Sequence, residues 1–522
     1  MKKTFISAAA VLAFATTMAH ADELSDIQAQ QKQLREQMSK RLADLEKRQK
    51  ALEAQKAAVP TISPVDAMAA DLPYKAAVKA KPPENDDICI KGICVYGNFD
   101  MGVTYQNHGA PLSPLAVGPL NYLVSKNSNG AYFGAGPNQL STSFIGLRGK
   151  QEIGDNLYAI FNLQTQFDPT SGQASSGIGS VAQNNGQPIT GFQNAFSDSS
   201  KAGQMFNNAA YFGVSSPTYG TFTMGRQSAL TSDLVTNYDS LAGSNAFSLL
   251  TYQGANGGGG DTENRIFDNS YEYRVNIGPV RLAAEAQLRN GGNSGTGNAF
   301  EGNIGFDYMG FSMDFVGGKI YDAVSASPLT SAQIAAATAF AVGTGQVAGT
   351  VSDNTVFQVG ARYVIGPWKL FAGYEHVNFT NPSNPLAAGA FLEGGYILTN
   401  PNNANFPNDR ILQTAWIGVK YSITPNLDIA GAYYHEWQNS FAAGANAGCS
   451  SVVSSQCSGT LDAVSLVVDW RFARHMDMYA GAMWSQVQNG LANGFLQTTA
   501  TPGNTSNKAN SVDPGIGLRY QF

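Results

Sequence analysis

The sequence predicts an all-β transmembrane fold, a 16-stranded antiparallel β-barrel preceded by an N-terminal α-helical coiled-coil stalk. Three observations carry that reading: an alternating strand at the very end of the chain, connections that are short and long in turn, and polarity supplied by uncharged residues. In the last seven residues Ile516, Leu518, Tyr520 and Phe522 share one face, and Gly517, Arg519 and Gln521 share the other. One face suits lipid and the other water, although a strand of a soluble sandwich can show the same period. Composition moves the balance. The 522 residues include 56 glycines and 11% aromatics, but only 13% are charged, against about 25% in ordinary soluble proteins. Asn, Gln, Ser, Thr and Gly make up the polarity, as a wet, nearly neutral interior would require.

The chain opens as an exported protein. Lys2 and Lys3 precede the apolar run Phe5 to Ala15, and Ala19-His20-Ala21 is a small-x-small cleavage site. No later stretch reaches the roughly 20 apolar residues of a spanning helix, so a membrane would be crossed by strands. Loss of the signal removes two lysines and no acids, moving the formal charge from -6 to -8. That sign argues against nucleic acid as a partner. Cysteines 89 and 94 form one local pair and Cys449 and Cys457 another; in an exported protein such spacing reads as two disulfides. Without histidines at ligand spacing, neither pair suggests zinc, and no cofactor is called for.

The organisation expected is a signal peptide (1–21), a periplasmic helix (22–56), a Pro/Ala-rich linker (57–87) and a barrel (88–522). Heptads thread through Leu24, Ile27, Gln31, Leu34, Met38, Arg41, Leu45, Arg48 and Leu52, a coil about 43 Å long at 1.5 Å per residue. Gln31, Arg41 and Arg48 weaken the seam, and a single solvated helix is the alternative. Pro60, Pro64, Pro73, Pro82 and Pro83 then mark a semi-extended linker.

Seven short connections punctuate the rest: 153–156, 216–218, 277–279, 309–310, 365–367, 424–426 and 474–475. Seven hairpins give fourteen strands, and an opening strand near Val95–Tyr105 with a closing one near Asp513–Phe522 brings the count to about 16. Even parity puts both chain ends beside the short turns, the periplasmic side of bacterial barrels. The long connections (110–139, 168–207, 322–354, 380–409, 440–460 and 488–511) then face outside. Along the strands, Val464, Leu466, Val468, Trp470 and Phe472 alternate with Ser465, Val467, Asp469 and Arg471. Trp368, Trp416, Trp437, Trp470 and Trp484 all fall in strands, where they suit interface anchors or ordinary packing.

At this point the residues resemble a known family. Ser143-Phe144-Ile145-Gly146-Leu147-Arg148-Gly149, continuing through Asp155-Asn156-Leu157 to Phe161, is similar to the second hairpin of the trimeric general porins of Gram-negative outer membranes. Tyr211 to Val214 with Tyr219 to Gln227 resembles their next hairpin, Asn269 to Tyr273 the strand after their inward-folded loop, and Gly517 to Phe522 their closing strand. The resemblance implies a homotrimer in outer-membrane lipid and lipopolysaccharide, passing small hydrophilic solutes and ions by passive diffusion. It also implies that the loop after strand five, about Ser228 to Asn264, folds into the pore and sets its acids, Asp233, Asp239, Asp261 and Glu263, against bases on the wall. The wall positions are Arg148, Lys150, Asn208, Arg226, Arg265 and Glu272. Asp233 and Asp239 are favoured because they come early in the loop. Arg226 shares parity with Phe222 and Met224, so it needs a bulge or a strand end to reach the lumen.

Asn208 and Glu272 stand where anion-preferring members often have bases, so weak selectivity or a mild cation preference is expected. Phe522 is the implied assembly signal. The stalk departs from plain family members; it would hold a trimer together or reach the cell wall. An enzyme is disfavoured: His20 leaves with the signal, and His108, His376, His435 and His475 sit in no nucleophile motif. The competing readings are a substrate-specific channel, in which the loop aromatics Tyr122, Tyr132, Phe133, Phe247 and Tyr252 would line a sugar slide, although packing of the loops is their favoured role, and a barrel-anchored tether or adhesin.

Overall fold

The computed structural model describes residues 32, 36, 39–40, 43, 47, 88–108, 131–172, 174, 205–251, 266–288, 298–328, 347–381, 383, 390–393, 396–399, 409–440, 458–489, 495–496, 505–506 and 508–522. The chain divides into two units, Met1–Ala69 and Ala70–Phe522. In the first, every described residue between Lys32 and Lys47 is helical and exposed, with the Ser39 hydroxyl bonded to the Glu36 carbonyl. The heptad a and d positions lie outside the described residues, as do the signal and the linker.

The second unit is a closed barrel of sixteen antiparallel strands. These are β1 (Ile93–Gln106), β2 (Tyr132–Pro137, resumed as Phe144–Gly154), β3 (Leu157–Gln166), β4 (Ala209–Ser216), β5 (Gly220–Ser228), β6 (Ile266–Ile277), β7 (Val280–Gln287) and β8 (Ala299–Tyr308). The second half comprises β9 (Phe311–Pro328), β10 (Val347–Ile365), β11 (Trp368–Thr380), β12 (Arg410–Thr424), β13 (Leu427–Gln438), β14 (Gly459–Ala473), β15 (Met476–Asn489) and β16 (Lys508–Gln521). Each strand pairs with its neighbour in sequence, and β16 returns to β1 with Asn98 opposite Gln521 and Thr104 opposite Gly515. Closure leaves no open edge, which is what a barrel in lipid requires. Phe522 finishes the seam: its amide donates to the Gly97 carbonyl at 3.1 Å and its carbonyl accepts from the Gly97 amide at 2.8 Å.

All seven expected short turns are present, at one end of the barrel. Left-handed backbone makes them tight: Asp155 and Asn156 lie at φ 50° and 59°, Met309 and Gly310 at 48° and 84°. Strand lengths depart from the sequence reading. Tyr132–Pro137, expected within a long connection, pairs with β1, and β2 then breaks at residues 138–143 before resuming. Polar side chains hold the break, with the Asp100 carboxylate accepting from the amides of Leu140 (3.0 Å) and Ser141 (2.7 Å). β9 and β10 stay paired as far as Pro328 and Val347, so that connection is shorter than expected.

Period two separates the two faces throughout. Ile304, Ile417, Leu466, Ile516 and Leu518 point outward, each about half exposed or more, while Asp100, Gln358, Glu436 and Arg519 point inward. Trp368, Trp470 and Trp484 belong to the outward set, as anchors would. Trp416 does not: it is buried against the segment inside the barrel, so anchoring is corrected to inner packing there. Cys89 and Cys94 are disulfide-bonded, tying the arm Ile88–Ile90 to the start of β1. Cys449 and Cys457 lie outside the described residues.

Candidate functional site

After β5 the chain turns inward rather than crossing to the next strand. Leu230–Tyr238 forms a helix, α1, with Leu230, Leu234, Val235 and Tyr238 buried and Asp233, Thr236 and Asn237 on its open side. That spacing is one apolar helical stripe, and Asp233 in the first turn complements the positive end of the helix dipole. The stripe packs on the inner wall, where Val316 of β9, Trp416 of β12, Ala430 and Tyr434 of β13, Val467 of β14 and Tyr479 of β15 complete one apolar cluster. Glycines let the segment approach: a Cβ on Gly360 would lie 2.6 Å from Tyr238, and one on Gly418 2.3 Å from Ser240.

Hydrogen bonds fix the segment at successive points. The Tyr238 hydroxyl donates to Asp314 (2.7 Å) and accepts from Arg281 (2.9 Å), while its carbonyl accepts from the Trp416 indole at 3.0 Å. Tyr434 donates to Asp239 at 2.8 Å, and the Ser240 hydroxyl donates to the Gly431 carbonyl at 2.9 Å. Further on, Asn245 donates to the Asn138 carbonyl (2.7 Å), the Ala246 amide to that of Gln139 (2.9 Å), and the Phe247 ring sits edge-on to Tyr479. The break in β2 thus serves as the far dock of the loop. Phe247 packs, as the packing alternative for the loop aromatics expects.

The two favoured loop acids end in different places. Asp233 pairs with Arg274 of β6, and the same guanidinium holds Glu272 at 2.6 Å. Asp239 is buried against Tyr434 and the Gly243 amide rather than facing a base, and burial pushes its carboxyl above the usual range. Asp261, Glu263 and Arg265 lie outside the described residues. Arg148 faces the lumen over the Tyr96 ring, 4.8 Å from its centre, and Lys150 lies 4.0 Å over Tyr158. Asn208 bonds Gln164. Arg226 does obtain its bulge: register shifts between Gly225 and Gln227, with Gly225 at φ 131°, and the guanidinium reaches Asp268 at 2.6 Å and the Asn207 carbonyl.

Sequence reasoning missed Arg274, although it stands two residues beyond Glu272 and so on the same face. It also missed an acidic row. Glu272 of β6 is directly opposite Glu285 of β7, and Glu285 is opposite Glu301 of β8; all three are buried. Glu301 accepts from the Thr231 amide and hydroxyl, both at 3.1 Å, so α1 begins on that row.

The profile of the family described as Gram-negative porin matches residues 8–440. No curated protein sequence matches the chain. Among solved structures, an anion-selective porin from Comamonas acidovorans is 16% identical with TM-score 0.53, the match covering 82% of this chain and 99% of that one. OmpT, an outer membrane protein of Vibrio cholerae, is 13% identical with TM-score 0.49, covering 84% and 100%. The outer membrane channel DcaP of Acinetobacter baumannii is 12% identical with TM-score 0.45, covering 82% and 97%. At such identities the first likeness is one of fold alone. The family match spans most of the chain, and the closed barrel has the strand count that the resemblance implied. The chain therefore belongs to the Gram-negative porins, outer-membrane channels rather than enzymes.

Proposed function

We propose that this porin passes small hydrophilic solutes and ions by passive diffusion, and that the segment from about Ser228 to Asn264 narrows its lumen. The observation that carries the reading is the docking of α1 and the turns after it along the inner wall, from Glu301 on β8 to the break in β2. Charges of both signs line what remains open: Asp233, Glu272 and Arg274 on one side, Arg148 and Lys150 about a quarter of the barrel away on β2. Fixed charges of both signs in a narrow passage orient solutes and leave selectivity between small ions weak, with a mild cation preference. Swelling of proteoliposomes in neutral solutes of graded size tests this. Entry rates should fall smoothly with size; one sugar entering out of order would indicate a substrate-specific channel, and no entry at all a tether with a plugged barrel.

The assembly expected is a homotrimer in outer-membrane lipid and lipopolysaccharide, with the long connections outside. Residues 22–56 form the periplasmic stalk and 57–87 the linker, after removal of 1–21. Its support is the helical state of the described residues between Lys32 and Lys47 and the entry of the chain into β1 at the short-turn end. A three-stranded stalk would raise the effective concentration of the barrels for one another. Deletion of 22–57 should then lower the temperature at which the trimer dissociates in detergent; an unchanged temperature would leave contact with the cell wall as the better role.

A further inference from the structure

We infer that Arg362, Lys369 and Lys420 form a binding site for a small doubly charged oxyanion, of the phosphate or dicarboxylate type, on the lumen wall between α1 and the short turns. The site presupposes that the barrel conducts, as proposed above, and adds a ligand class to it. Lys369 of β11 and Lys420 of β12 are directly opposite in register, a spacing at which like charges repel unless something sits between them. Both point inward, since Lys420 shares the parity of Gly418, which meets Ser240, and Lys369 that of Gly373, which meets the Trp416 ring. Arg362 of β10 follows Gly360, against which Tyr238 packs, and its guanidinium lies 6.0 Å from the centre of the Tyr238 ring. The inward segment therefore roofs the three cations, and the short-turn mouth is their open side.

Their charge is not balanced by the wall. The charged groups facing Lys369 are Lys420, Arg362, Arg471 and Asp428. Asp428 is shared by Lys420 at 3.1 Å and Arg471 at 2.8 Å, and Arg471 also lies 3.7 Å from Asp469. Among the described residues no carboxylate pairs with Lys369 or Arg362. Asp469 is also 3.8 Å from Arg519, which pairs with Asp477; five cations thus face three acids, an excess that one dianion would cancel. All three site residues are partly exposed, so a solute can reach them. Two ammonium groups and a guanidinium offer several donors to a ligand with several oxygens, and charge-assisted bonds of this kind are the stronger sort.

The test is inhibition of chloride current through single channels by inorganic phosphate, at constant ionic strength and neutral pH. Phosphate should reduce the current saturably. The double variant Lys369→Gln, Lys420→Gln should raise the half-inhibiting concentration by roughly tenfold or more, whereas Lys91→Gln, in an exposed turn outside the barrel wall, should leave it within about twofold. A dicarboxylate such as succinate, used in place of phosphate, shows which oxyanion is preferred. An unchanged half-inhibiting concentration in the double variant, or no phosphate effect on a conducting wild-type channel, overturns the site. A wild-type barrel that passes no current would instead overturn the channel reading, and conduction by the variant shows that it has folded.

Discussion

Excision of residues 231–263 should raise single-channel conductance roughly twofold or more, because it removes α1 and the turns after it, which pack on the inner wall, without touching the ladder that closes the barrel. Four residues would remain between Ser228 and Ile266, a common length for a hairpin loop. All sixteen strand pairings stay intact, among them β5 with β6 and β16 with β1. The inner wall would change character: Trp416, Tyr434 and Tyr479, now buried against α1 and the following turns, would meet water. Trp416 emission should shift to longer wavelength as conductance rises, and the size limit for neutral solutes should increase in swelling assays. A narrower version of the same result comes from Tyr238→Ala, which discards the bonds to Asp314 and Ser312 and the contact with Gly360. Truncation of a buried aromatic costs about 3–5 kcal/mol, enough to loosen a segment held at a handful of points. Conductance unchanged by the excision would remove the segment from the pore.

The barrel was legible in the sequence because its determinants are local. Gly278-Pro279 and Gly366-Pro367 can hardly be anything but turns, with both glycines left-handed at φ 60° and 56°. Outward residues such as Leu466 and Trp470 repeat at the strand period whatever else the chain does. Contacts made across the lumen leave no such trace. Trp416 has the parity of a lumen residue, yet nothing nearby says that the carbonyl of Tyr238, 178 residues earlier, will take its indole proton. Tyr132–Pro137 went unread because β2 breaks immediately afterwards, where Asn138 is left-handed at φ 59°. Arg226 shows the intermediate case. Alternation pointed it at lipid, and only the bulge at Gly225 turns it toward Asp268.

Substitution Arg274→Gln should make the channel markedly cation-selective, raising the permeability of potassium relative to chloride by roughly tenfold. This one guanidinium holds two carboxylates. Glu272 receives it through two bonds, of 2.6 Å from Nε and 2.7 Å from Nη2, and the same Nη2 also donates to Asp233 of α1. Next to them the acidic row continues through Glu285 and Glu301. Glu301 is satisfied by Thr231, but among the described residues neither carboxylate oxygen of Glu285 has a hydrogen-bond partner. Arg274 is thus the ion-pair partner of both Asp233 and Glu272 beside that row, and glutamine keeps the length of the side chain without the charge. Asp233 and Glu272, left without their counter-ion, would then bias one side of the passage. Reversal potentials in a potassium chloride gradient should move toward the potassium potential. Arg274→Lys should fall between the two, since a single ammonium preserves the charge but not the fork that spans Glu272 and Asp233. The other consequence is mechanical, because loss of the tie to Asp233 frees the first turn of α1 from β6. A larger conductance with an unmoved reversal potential would assign Arg274 to holding the loop and not to selecting ions.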